Sequence, residues 1–382
     1  MKLLNTLVKR YLEANSQYET IKTTCENQIV RWEYASGPYY QANPFTNQIW
    51  QIPSGKLLKE DITNQYYLYK YGFNSSNKIV VKNEIEDNIL KNEEFILYEG
   101  DVVNGWSYNH SGKEIINVTS AKYLNDKILE LTCFTKYRWS KENFKYEDDL
   151  IIQIEDTSYF EDKIDRISYF NISYFENKKL KSIEFYIPAE YNEGQPHRRM
   201  IYQRPEKGQS IKEITKNVED KLIKAIYKTI AEQKITEKIY CIILSYSFEQ
   251  TDFFPPFVSI GFENERIGFI ESEAKEAKRF IWNPSELKNH ISLIDELDDK
   301  DLMKECNILN NYIVQNEKDS LIAKIYNNIL EGLLKYDWKT IAPVTSDFVI
   351  FINDGTDRNY LRSLKKYNNA ESLKELKGKK LI

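Results

Sequence analysis

An α+β fold is expected for this chain: a strand-rich antiparallel β-meander domain with an N-terminal helix over residues 1–200, then an α/β domain over residues 201–382 with a small central sheet flanked by helices. Three features predict it. A hairpin-like pattern recurs between Tyr66 and Tyr186, an amphipathic helix runs into a fully apolar strand after Ser210, and Gly and Pro cluster between the two.

The recurring pattern is an aromatic residue, a few polar residues including Asn, Asp or Glu, a lysine, then Ile or Leu. It appears at Phe73–Ile79, Tyr108–Ile115, Tyr123–Ile128, Tyr159–Ile164 and Tyr174–Leu180. The polar residues suit tight turns, and the β-branched and aromatic flanks suit half-buried strand faces. The spacing between copies is irregular, which argues for one twisted antiparallel sheet and against a solenoid of equal repeats. Ahead of this region, Leu3, Leu4, Leu7, Val8, Tyr11 and Leu12 fall at helical spacing, and the aromatics from Trp32 to Trp50, broken by Gly37-Pro38 and Pro44, suggest short strands and turns.

Residues 187–209 hold Pro188, Gly194, Pro196, Pro205 and Gly208 around His197-Arg198-Arg199 and Arg204, which reads as an exposed basic linker and the domain boundary. Ser210 then precedes Glu213 by the spacing of a capping box. Ile211, Ile214, Val218, Leu222, Ile226 and Ile230 form one apolar stripe of the helix that follows. Ile239 to Leu244 is a continuous apolar run, as a strand covered on both faces requires, and Val258 to Phe262 pairs back with it. Ile270–Arg279 is loosely helical, Trp282-Asn283-Pro284 is a turn, Ser320–Tyr336 is a second amphipathic helix, and Phe348–Ile352 is another buried strand. A last helix is expected from Asp357, followed by a frayed lysine-rich tail.

Composition bounds the function. With 41% hydrophobic and 29% charged residues and a net charge of −5, the 382-residue chain is neither disordered nor fibrous. The charge is about −3 before residue 210 and about −2 after it, so neither half carries the basic surface of a nucleic-acid module. No window approaches a membrane span of roughly 20 apolar residues, and the four cysteines lack short-range partners, so a soluble cytoplasmic protein with buried free thiols is expected.

Catalytic signals are few. His110, His197 and His290 lie far apart without metal-ligand spacing, and phosphate-cradling Gly-rich loops and serine nucleophile elbows are missing, so no catalytic residue, metal or cofactor is assigned. Asp156, Glu161 and Lys163 form the one acidic-plus-lysine set that suits a metal-dependent nuclease or other hydrolase, although the same residues fit a hairpin turn. Asp252-Phe253-Phe254-Pro255-Pro256-Phe257 projects between two strands. Its phenylalanines either close over the adjacent core or form a partner-binding anchor of Asp252, Phe253, Phe254 and Phe257. The acidic run containing Asp295, Asp298 and Asp299 would then steer a basic partner toward it.

From residue 210 to 367, the order of helix, apolar strand, second strand, Trp282-Asn283-Pro284, helix pair, Trp338 and Ser346-Asp347-Phe348-Val349-Ile350-Phe351 resembles an uncharacterised bacterial family of small α/β domains. Members of that family occur among the immunity proteins of polymorphic toxin systems. The resemblance implies a non-enzymatic protein that binds and neutralises a cognate toxin. It supplies no catalytic residues and leaves the strand-rich half without a role.

Overall fold

The computed structural model describes residues 2–59, 66–161, 163–246, 251–273, 276–293, 299–355 and 360–382. The chain divides into two compact units, Met1–Tyr202 and Gln203–Ile382.

The first unit is built on one 13-stranded sheet. Its strands are β1 (Arg31–Ala35), β2 (Leu57–Leu58), β3 (Tyr67–Phe73), β4 (Ile79–Glu86), β5 (Ile89–Glu99), β6 (Val102–Asn109), β7 (Glu114–Leu124), β8 (Lys127–Thr135), β9 (Arg138–Glu147), β10 (Leu150–Phe160), β11 (Lys163–Tyr174), β12 (Leu180–Ile187) and β13 (His197–Gln203). From β3 to β13 each strand neighbours the next in sequence, and β1 lies between β3 and β2 at the other edge. This is the antiparallel meander expected, and all five copies of the aromatic-polar-Lys-Ile pattern fall on hairpin turns. Turn chemistry explains why. The β4–β5, β7–β8 and β9–β10 loops are the pairs Asp87-Asn88, Asn125-Asp126 and Asp148-Asp149, each with positive φ at both positions. That is the hairpin geometry which matches strand twist and which Asn and Asp tolerate best among residues with a side chain. Tyrosines of the sheet, Tyr174 of the pattern among them, also have a bonding role. Tyr174 donates to the carbonyl of Ile151 at 2.9 Å, Tyr146 to that of Ile128 at 2.9 Å, and Tyr98 to that of Ile79 at 3.0 Å, stitching each strand to the start of its neighbour.

Side chains alternate between the two faces of the sheet. One face carries Phe95, Trp106, Tyr108 and Val118, and helix α1 (Lys2–Glu26) lays Leu7, Ala14, Tyr18, Ile21 and Cys25 on it. Under that helix the buried Glu93 carboxylate accepts from Tyr18 at 2.6 Å and from Lys22 at 3.2 Å, with His110 Nδ1 at 2.9 Å. Burial alone would raise the Glu93 pKa, but these hydrogen bonds outweigh it and hold the carboxyl below its usual value. The other face carries Ala121, Phe144, Ile154 and Phe170, and the 36–56 segment packs there through Phe45.

The second unit has four strands in the order β16 (Asn289–Ser292), β15 (Phe257–Phe262), β14 (Ile239–Ser245), β17 (Val344–Asn353), with β14 and β17 parallel and the other pairs antiparallel. Ile242, Leu244, Ile350 and Ile352 face a core shared with α3 (Ile211–Glu232), α6 (Lys300–Asn316) and α7 (Asp319–Leu333). Cys241, Ile243, Val349 and Phe351 face the opposite core, with Ile281 of α5 (Ala277–Ile281), Leu364 of α8 (Tyr360–Tyr367) and Leu376 of α9 (Ala370–Gly378). The central strand is therefore apolar throughout because helices cover both of its faces. Ser210 and Glu213 form the expected reciprocal cap.

Three expectations are corrected. The loosely helical stretch at 270–279 is two helices, α4 (Glu263–Glu273) and α5. The C-terminal tail is docked: Leu376 and Leu381 are buried, Trp282 Nε1 donates to the Leu381 carbonyl at 2.9 Å, and Lys379 reaches Asp347 at 2.6 Å. The His197-Arg198-Arg199 cluster is not linker but part of β13, because the strand continues into Ile201 and Tyr202, which are buried in the sheet core. The proposed last-helix start at Asp357 lies outside the described residues.

Candidate binding cleft on the N-terminal sheet

The 36–56 segment crosses its sheet face as a strap. Gly55 donates to the Pro38 carbonyl at 3.1 Å, and a Cβ on Gly55 would stand 2.1 Å from the Gly37 carbonyl oxygen, so the close crossing needs glycine. Asn43 reaches down to the Glu142 carboxylate at 2.8 Å, and the short helix α2 (Thr46–Ile49) follows Phe45. Gln51 then donates to the Ile201 carbonyl of β13 at 3.0 Å, pinning the far end. Between these fixings Trp50 is 70% exposed.

Beside the strap lies a cleft of about 490 Å³, within the range of ligand-binding pockets. Its floor is sheet: Ser140 and Glu142 from β9, Asp156 and Ser158 from β10, and Phe170 and Phe185 from β11 and β12. Arg138, Arg166, His197 and Arg199 lie around it. Glu142 and Asp156 are direct register partners, placing two carboxyls side by side. Burial pushes the Glu142 carboxyl up to about 7, with the neighbouring Asp156 charge adding to the rise and the Asn43 hydrogen bond opposing it. Burial raises Asp156 as well, against the pull of Arg166 and a hydrogen bond from Ser168. A protonated carboxyl beside an ionised one can donate and accept a proton, or can exchange its proton for an incoming cation.

The residues singled out from sequence are placed differently. Asp156 belongs to this cleft, but Glu161 occupies the β10–β11 turn and Lys163 opens β11. Five residues of strand, roughly 16 Å, separate Asp156 from Glu161, so the three do not form one site. Among the described residues no group of three or more His, Cys, Asp and Glu is arranged to hold a metal ion.

The Phe-rich loop closes inward. Phe253 and Phe254 are 5% and 2% exposed, and Asn310 clamps the backbone of Phe254, accepting from its N–H at 3.0 Å and donating to its carbonyl at 2.8 Å. Tyr326 donates to the Phe253 carbonyl at 2.7 Å and packs its ring 5.3 Å from that of Phe254. The expected anchor is thus reduced to Phe257, 47% exposed against His290, with Asp252 partly buried beside the loop. Asp295 and Asp298 lie outside the described residues, and Asp299 caps α6 by accepting from the Leu302 N–H at 2.9 Å. Glu305, in the same acidic run, is buried between Lys221 at 2.8 Å and Asn217 at 3.0 Å.

Glu142 and Trp50 were missed from the sequence. The signal for Glu142 was faint but physical: Ser140-x-Glu142-x-Phe144 and Ile154-x-Asp156-x-Ser158 put polar groups in register with core-facing apolar residues. Trp50 had no signal of its own, since its exposure depends on a strap held by contacts nearly 100 and 150 residues away.

No protein-family profile matches the chain, and no curated protein sequence matches it significantly.

Proposed function

We propose that this chain is a protein-binding protein of the toxin-neutralising kind, and that it takes hold of its partner with the cleft side of the N-terminal sheet. The observation that carries this reading is Trp50, held exposed on a strap fixed at both ends beside a cleft bordered by Arg138, Arg166 and Arg199. Trp and Arg are the side chains most enriched at binding hot spots, and a pre-fixed aromatic loses little conformational freedom on contact. The kind of partner comes from the resemblance of residues 210–367 to immunity proteins. The expected place of action is the cytoplasm, where the four free cysteines stay reduced.

The test is coexpression. The product of a gene beside this one in its native genome should arrest growth of a host, and the chain should restore growth and copurify with that product in fixed proportion. If no neighbouring product is toxic, or toxicity persists with the chain folded and abundant, the reading fails.

A second reading is favoured by the Glu142–Asp156 pair: a carboxyl titrating near 7 beside another suits acid–base catalysis. Stoichiometry separates the two. Neutralisation that saturates at one equivalent identifies a binder, and protection by far less than one equivalent identifies an enzyme.

A further inference from the structure

In the cleft Arg166 acts on Asp156, whereas among the described residues no cation acts on Glu142. The influences on the Glu142 carboxyl are burial, the Asp156 charge and the Asn43 hydrogen bond. The other titratable groups around it come from four strands. Cys133 on β8 feels the Glu142 charge, Arg138 of β9 stacks 5.8 Å over the Phe160 ring, Arg166 of β11 acts on Asp156, and His197 and Arg199 line the cleft from β13. Burying a carboxyl without a counter-ion is unfavourable, and carboxyls perturbed in this way inside a cleft cluster at functional sites.

We propose that the cleft receives an arginine side chain of the partner protein, with its guanidinium between Glu142 and Asp156 and its stem against Trp50. This rests on the protein-binding reading and adds the group that is recognised. Two carboxyls from adjacent strands match the planar, multi-donor face of a guanidinium, which a neutral ligand or a compact ammonium does not exploit equally. Trp50 at the lip supplies an aromatic surface on which an arginine stacks. The cleft's volume of about 490 Å³ is ample for one such side chain. Because Glu142 titrates near 7, an arriving guanidinium shifts it to the ionised form and expels its proton. Affinity therefore rises as pH increases through 7.

The experiment titrates the full-length chain with the capped peptide acetyl-Gly-Arg-Gly-amide and with its citrulline counterpart, which is near-isosteric but neutral. Binding is followed calorimetrically at pH 6 and pH 8. The arginine peptide should bind about tenfold or more tighter at pH 8, with the gap narrowing at pH 6 and with protons released on binding. Glu142→Gln and Asp156→Asn should each lose the preference, and Glu142→Gln should also lose the pH dependence, with melting temperatures confirming that both variants fold. Equal binding of the two peptides, no binding of either, or a preference that survives both substitutions overturns the proposal. Toxin neutralisation without an arginine preference removes this subsite and leaves the protein-binding reading. An arginine preference without neutralisation keeps the subsite and removes the toxin as partner.

Discussion

Glu142 on β9 and Asp156 on β10 stand directly opposite each other in the sheet, and Asn43 on the strap hydrogen-bonds Glu142 at 2.8 Å. Like charges at such positions destabilise a sheet, so the pair works against the fold that carries it.

The first prediction concerns the stability this arrangement forfeits. The folded-state pKa of Glu142, about 7, exceeds its unfolded value. The folded state therefore binds more protons between roughly pH 4 and 7, and its stability falls as pH rises through that window. Glu142→Gln keeps an acceptor for Asn43 and removes the charge. It should stabilise the protein by on the order of 2 kcal/mol at pH 8 and by little at pH 5. Denaturant melts at both pH values check this, and a variant that is less stable at pH 8 would show that the ionised carboxylate is compensated. A substitution that raises stability while abolishing binding marks a residue kept for function.

The second prediction separates two neighbouring phenylalanines. Phe254 is buried and clamped by Asn310, so Phe254→Ala should cost about 3–5 kcal/mol. Phe257 is 47% exposed, and its replacement by Ala should cost well under that, about 1 kcal/mol. Thermal melts of the two variants decide the point. Equal losses would mean that the loop is not closed on its core.

The third concerns the ion network under the C-terminus. Asp347, fully buried, accepts from both terminal nitrogens of the buried Arg266 at 2.9 and 3.1 Å and from Lys379 at 2.6 Å. Burial would raise its pKa, but these partners outweigh that and lower it. Its contribution is therefore present above the ordinary aspartate value of about 3.9 and lost as pH falls below it. Asp347→Asn should cost about 3 kcal/mol or more at pH 7 and less at pH 3. A loss that is the same at both pH values would point to packing instead of charge.

The fourth places the first proteolytic cut. Arg198 and Arg199 lie within β13, whereas Arg204 and Lys207 follow it, in the first residues of the second compact unit. Limited trypsin should cut after Lys207 first, since ordered sheet backbone resists cleavage and the Arg204–Pro205 bond is not a trypsin site. N-terminal sequencing of the first large fragments reads the site, and cleavage at Arg198 or Arg199 would show that the edge strand opens easily.

What could be read from the chain follows from how local each signal was. The Asp and Asn pairs of the hairpin loops, the Ser210–Glu213 cap and the apolar run of β14 are decided within a few residues, and their elements formed as expected. The tail was misread because lysines dominate it, while its anchoring depends on Leu376, Leu381 and a Trp282 bond about a hundred residues back. The cleft was illegible for the same reason. Its carboxyl pair is created by the register of β9 against β10, and its Trp50 lip by a strap fixed to distant strands. Asp156 and Glu161 are close in sequence yet several residues of strand apart, whereas Glu142 meets Asp156 across the ladder.

The most direct measurement is the affinity of the growth-arresting neighbour's product for the intact chain and for Trp50→Ala, taken alongside their melting temperatures. Because Trp50 is 70% exposed and fixed by bonds outside its own ring, the substitution should weaken binding by about 2 kcal/mol or more and leave the melting temperature unchanged. Unaltered affinity in the folded Trp50→Ala variant would place the contact elsewhere and contradict the assignment of the cleft as the binding surface.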